Sequence, residues 1–182
     1  MTLACSLALL LGLAACGQTT QATNAGADNN GAYVGAGDVT YQLEISRELN
    51  PYSTEDSQYL AGLPTSAMAP KPDELWYGVF LWAKNQTKHP QTTTDRFDIV
   101  DTEGNRYYPL RLDSAVNQYA WTAQTLQPSG TEPGPDTIAG FGPTQGRLLL
   151  FKLGTSVYSN RPLTLEIYAP GQARPSTISL DL

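Results

Sequence analysis

Histidine and cysteine are nearly missing from this chain: His89 is the single histidine, and Cys5 and Cys16 are the only cysteines. General base catalysis by imidazole, or zinc or copper ligation, needs partners of these types. His89, in Thr87-Lys88-His89-Pro90, therefore reads as an exposed loop residue, and no cofactor is expected. Like charges never run longer than a pair such as Glu55-Asp56 or Asp73-Glu74, on a net charge of −6. Nucleic-acid binding wants a clustered Lys/Arg face, so no nucleic-acid partner is expected. There is no Gly-x-Ser-x-Gly elbow, no Ser-x-x-Lys and no glycine-rich phosphate loop. Hydrolase and nucleotide chemistries are left without support, and the protein is expected not to be an enzyme. No apolar run approaches the roughly 20 residues of a permanent membrane helix.

What is present begins with a short apolar run from Leu3, ending in Leu13-Ala14-Ala15-Cys16-Gly17. Small residues before a cysteine, directly after such a run, resemble bacterial lipoprotein signal peptides. One feature departs from that pattern: no Lys or Arg precedes Arg47, so only the initiating amine is positive. The resemblance implies removal of residues 1–15 and a diacylglyceryl group on the Cys16 thiol. Cys5 would leave with the signal, and the mature chain would have neither free thiol nor disulfide. Two acyl chains at about 0.8 kcal/mol per buried methylene contribute on the order of 20 kcal/mol, an effectively irreversible hold. The expected location is the extracytoplasmic face of a bacterial membrane, with the membrane as partner through Cys16. Gly17 is not the aspartate that retains such proteins at an inner membrane, so no retention signal is evident.

Residues 16–38 are expected to be a flexible tether, since one aromatic, Tyr33, stands among Gly, Ala, Thr, Asn and Gln. Its typical reach is roughly 26 Å.

The folded domain is expected over 39–182. Val39, Tyr41, Leu43 and Ile45 alternate with polar residues, a half-buried strand closed by Asn50-Pro51. The segment from Tyr52 to Asp73 is rich in Pro, Ser and Thr and suits one helical turn near Ser53 to Leu60. Leu75 to Asn85, LWYGVFLWAKN, is apolar at both parities, which predicts a central strand covered on both faces and places Trp76 and Trp82 in the core. Phe97, Ile99 and Val100, the turn Asp101 to Asn105, then Tyr107, Tyr108, Leu110 and Leu112 predict a hairpin whose second strand Pro109 confines to an edge or bulge. Further strands are expected at Thr137 to Phe141, Arg147 to Leu153, Leu163 to Ile167 and around Ile178 and Leu180. About 7–9 short strands with turn signals between them predict an all-β antiparallel sandwich.

An apolar strand ending in Lys84-Asn85, then Phe97-x-Ile99-x-Asp101-x-x-Gly104-x-x-Tyr107-x-Pro109, resembles the immunoglobulin-like domains of unknown function in bacterial lipoproteins. The resemblance covers roughly Val39 to Leu182 and speaks to fold. The insert from Tyr52 to Asp73 departs from it.

Few residues offer chemistry. Asp101 to Asn105 has oxygen donors at a density that calcium favours, but its spacing fails the helix-loop-helix pattern, and Asp, Gly and Asn are also what a tight turn requires. A plain turn is expected, and no metal. Asn85-Gln86-Thr87 matches a glycosylation sequon, which a bacterial lipid anchor makes irrelevant. Aromatics are the only material for recognition, and Tyr108, Tyr119 and Trp121, near loop-rich segments, are the candidate ligand-binding residues. The expected function is a non-catalytic, membrane-anchored binding or envelope-assembly module that contacts an envelope protein. The alternative is a binder of cell-wall glycan or another small ligand through the loop aromatics.

Overall fold

The computed structural model describes residues 26–27, 31, 33–67 and 69–180. The expected signal segment, Cys16 and most of the expected tether lie outside the described residues.

In chain order the strands are β1 (Gly26–Ala27), β2 (Tyr33–Ala36), β3 (Val39–Leu49), β4 (Glu74–Asn85), β5 (Gln91–Thr92), β6 (Phe97–Val100), β7 (Arg106–Tyr107), β8 (Thr125–Leu126), β9 (Thr131–Glu132), β10 (Arg147–Gly154), β11 (Leu163–Ile167) and β12 (Ser176–Leu180). One sheet runs β10-β4-β3-β2, with β9 also paired to β4; the other runs β1-β12-β11-β6-β7; β5 and β8 form a small ladder. Every pairing but that of β1 with β12 is antiparallel among these strands. The expected all-β sandwich is the observed fold.

β4 organises the packing, because its two parities enter different cores. Leu75, Tyr77, Val79, Leu81 and Ala83 join Tyr41, Phe97, Phe151, Leu165 and Ile178 between the sheets. Trp76 and Phe80 point the other way, into a second cluster with Leu49, Tyr59, Tyr119, Ala139, Leu148 and Leu150. A third layer covers that outer face, so the two-sided apolar pattern is satisfied without a buried helix. It is built largely from the insert, whose helical turn α1 (Thr54–Ser57) and following 3₁₀ turn (Gln58–Leu60) bring Tyr59 edge-on to Phe80 at 5.0 Å. Arg47 anchors the turn, donating to the Asp56 carboxylate at 2.6 Å while the other carboxylate oxygen accepts from the Asn50 amide at 2.8 Å.

Four sequence expectations need correction. Tyr33–Ala36, assigned to the tether, is a strand: Val34 and Ala36 enter the main core, and a Gly37-Asp38 turn with Gly37 at φ 62° joins it to β3. Gly26–Ala27 also pairs, with β12. In β3 the register shifts between Leu43 and Ile45. The extra residue reverses parity, so Ile45 is exposed while Ser46 is buried, and Leu49 serves the second core instead of the first. Thr137 to Phe141, expected as a strand, is the helical turn α2 (Ile138–Phe141). Its backbone donors find local acceptors, Gly140 and Phe141 on the Thr137 carbonyl and Gly142 on that of Ile138, and this leaves no ladder to form. Finally, Trp82 is half-buried, because the third layer stops short of it.

Candidate functional site

The site expected around Tyr108 and Trp121 rests on the β6–β7 hairpin and the chain that leaves it. The hairpin loop is held from inside by Asp101. Its Oδ1 accepts from the amides of Glu103 (3.0 Å) and Asn105 (2.9 Å), and its Oδ2 from Asn105 Nδ2 (2.9 Å), the Tyr107 hydroxyl (3.1 Å) and Asn160 Nδ2 (3.2 Å). Burial alone would raise this carboxyl, but the donors outweigh it and hold the pKa down to about 2. Protein donors thus occupy both oxygens that the calcium reading needed, and Gly104, at φ 84°, completes a turn.

Beyond β7 the chain crosses between sheets. The Leu110 amide donates to the Leu150 carbonyl at 2.7 Å, and the Trp121 amide to that of Leu148 at 3.0 Å, so both segments attach to β10. Between them and β6 lies an open groove of about 780 Å³. Trp121 forms part of its wall and is half-buried, its ring edge-on to Phe97 at 5.3 Å. The indole Nε1 donates to the Thr94 carbonyl at 2.9 Å, while the Thr94 amide donates to the Tyr41 hydroxyl at 3.0 Å. Burial pushes the Tyr41 hydroxyl up to about 12, against the lowering effect of the Thr94 amide. Trp121 is therefore fixed from behind and presents one side to the groove.

The sequence predicted three site residues, and the structure brings two together. Tyr108 is 65% exposed and shares the groove with Trp121. Tyr119 is not available: it is 3% exposed and sits edge-on to Tyr59 at 4.8 Å in the second core. Residues 119 and 121 lie either side of the bridge that Ala120 makes to Leu148, and their rings go to different cores.

Charged neighbours of the groove escaped the sequence reading. Asp98 and Glu166 face each other across β6 and β11, a like-charge pair that destabilises a sheet unless a cation intervenes. Arg106 supplies it: Nη1 donates to Asp98 at 3.0 Å, Glu166 at 2.6 Å and the Tyr168 hydroxyl at 3.0 Å. Those bonds, to Glu166 first, hold the guanidinium even more firmly protonated than usual. Arg96 lies over the Tyr168 ring at 5.2 Å, and Arg111 is almost fully exposed, with only a long 3.7 Å pairing to Asp95. An exposed pair of that length contributes little, so Arg111 is at liberty to take another anion. The only sequence signal was register, which cannot be read until β6 and β11 are known to be neighbours.

Two further expectations concern the loop after β4. His89 is exposed. Asn85 of the sequon is fully buried, where Nδ2 donates to the carbonyls of His89 (2.7 Å), Leu126 (3.0 Å) and Gln127 (3.2 Å), and Oδ1 accepts from the Thr87 amide and hydroxyl. It is a structural hub, and in the folded protein it is closed to any glycan.

No protein-family model matches the sequence, and no curated protein sequence matches it significantly. Solved structures do. The yjhA protein from Bacillus subtilis superposes with a TM-score of 0.51 at 11% identity, over 83% of this chain and 97% of that one. The likeness is one of fold. A lipoprotein candidate from Bacillus subtilis, ycdA, gives 0.49 at 11% identity over 82% of this chain and 38% of its own. An uncharacterised β-sandwich protein from Clostridium difficile gives 0.43 at 10% identity, over 85% and 94%.

Proposed function

We propose that this protein is a non-catalytic recognition module, fastened by lipid on Cys16 to the outer side of a bacterial membrane, that grips a segment of an envelope protein in the groove between β6 and β10. The observation that carries the reading is the residue set of the groove: exposed Tyr108, half-buried Trp121 and the exposed arginines Arg96 and Arg111. Tyrosine, tryptophan and arginine are the types that concentrate binding energy at protein interfaces, because each offers a large rigid surface with a polar end. The burial of Tyr119 takes away one of the three aromatics on which a glycan reading rested.

The test is a photoreactive side chain placed at Tyr108 in the full chain, in its native envelope, with the exposed turn residue Gln172 as the control position. Illumination is expected to give a discrete protein adduct from position 108 and none from 172. Equal labelling from both positions, or adducts to glycan alone, would contradict the proposal.

A further inference from the structure

We propose a second binding site, for an organic cation carrying an ammonium or quaternary ammonium group, in the corner that Tyr33 and Trp82 make on the outward face of the β2-β3-β4 sheet. The corner follows from register. Tyr33 lies opposite Gln42, and Gln42 opposite Trp82, so the three side chains stand in a row on one face. The rings are 6.2 Å apart at 64°, and Tyr33 is 41% exposed with Trp82 half-buried beside it. The rings meet in an edge contact, and the corner beside that contact forms a wedge open to a third group.

The wedge opens into a hollow of about 520 Å³ that also takes in Glu44 and Ser129. Glu44 sits at the β3 bulge, where the register shift re-aims a side chain. Its carboxylate has no ion pair and no hydrogen bond to any described residue. Partial burial raises its pKa, the state of a carboxylate lacking a cation. Ser129 is the one non-glycine residue at positive φ (64°) among the described residues, and backbone in that region persists only where its surroundings impose it.

The electrostatics choose the ligand. Aromatic faces carry negative potential, Glu44 adds a full negative charge, and no Lys or Arg lines the hollow. The nearest basic residue in register is Arg147, opposite Leu81, and its guanidinium is already taken by Glu132; Lys84, opposite Thr40, lies two positions beyond Trp82 on the side away from Glu44. A neutral ring would be content with the aromatics; the unpaired carboxylate calls for positive charge. The site is separate from the β6–β10 groove and stands or falls without it.

The experiment is a titration of the full-length Cys16→Ser protein, watching tryptophan emission and binding heat, with choline and with its uncharged isostere dimethylbutanol. Choline is expected to bind saturably in the millimolar range, with the isostere and the Glu44→Gln variant each weaker by roughly tenfold. Trp82→Leu is expected to lose the emission change. Glu44 is at the surface, so its variant reports even if Trp82→Leu folds poorly. Co-sedimentation with phosphatidylcholine but not phosphatidylglycerol vesicles would identify a lipid headgroup as the source; choline binding without it would identify a free solute. Absence of saturable choline binding, equal binding of the isostere, or unchanged affinity in Glu44→Gln would overturn the proposal.

Discussion

Phe80→Ala is expected to lower the unfolding free energy by about 3 to 5 kcal/mol, the range for deleting a buried aromatic side chain. Phe80 has no exposed surface, stands edge-on to Tyr59 and lies opposite Leu148 and Ile45 on neighbouring strands. Its ring is the contact through which the insert closes over the outer face of β4. Losing it removes the transfer free energy of the ring and leaves a cavity that Leu49 and Leu150, fixed on β3 and β10, cannot fill. Phe141, 67% exposed on α2, is the matched control, and its alanine variant is expected to change stability by only about 0.5 kcal/mol or less. Urea unfolding of both variants checks this. An unchanged midpoint for Phe80→Ala would mean that the insert does not pack as a third layer.

Asn85→Ala is expected to cost about 3 kcal/mol or more, because truncation leaves three buried or partly buried carbonyls and the Thr87 amide short of partners. Asn85→Asp is expected to be at least as damaging although it is isosteric. A carboxylate cannot donate, and it would face the carbonyls of His89, Leu126 and Gln127. The backbone of Asn85 also accepts from the Ser129 amide and donates to the Gly130 carbonyl, both at 3.0 Å. Loss of the hub should therefore also loosen the wall of the Tyr33–Trp82 corner. Thermal unfolding of both variants is the measurement; stability within about 0.5 kcal/mol of wild type in both would refute the hub.

The run from Leu75 to Asn85 was legible because both its parities are apolar, and burial at two faces has no other local signature. The hairpin around Asp101 to Asn105 was legible because its turn residues state their conformation. What covers the second face of β4 was not, since Tyr59, Tyr119 and Ala139 come from three separate segments that show no common period. Tyr33–Ala36 was masked by its neighbours: two small apolar residues in a Gly- and Asn-rich stretch carry little hydrophobic signal, and a ladder with β3 supplies the rest. The bulge at Glu44 is invisible to alternation by its nature, since it breaks alternation, and it is why Ile45 was placed inside. Tyr119 and Trp121 have the same spacing whether they share a surface or serve two cores. Only the bridge at Ala120 decides between these.

Both proposed sites depend on the proposed anchor at Cys16, since a groove proposed for an envelope protein and a corner proposed for an organic cation would each gain from confinement beside a membrane. Detergent-phase partition of the protein expressed in a bacterial envelope, wild type against Cys16→Ser, tests that most directly. The wild-type protein is expected in the detergent phase with acyl chains on its N-terminal cysteine, and Cys16→Ser in the aqueous phase. Equal partition of the two, or a wild-type mass with residues 1–15 retained and no fatty acid, would contradict it.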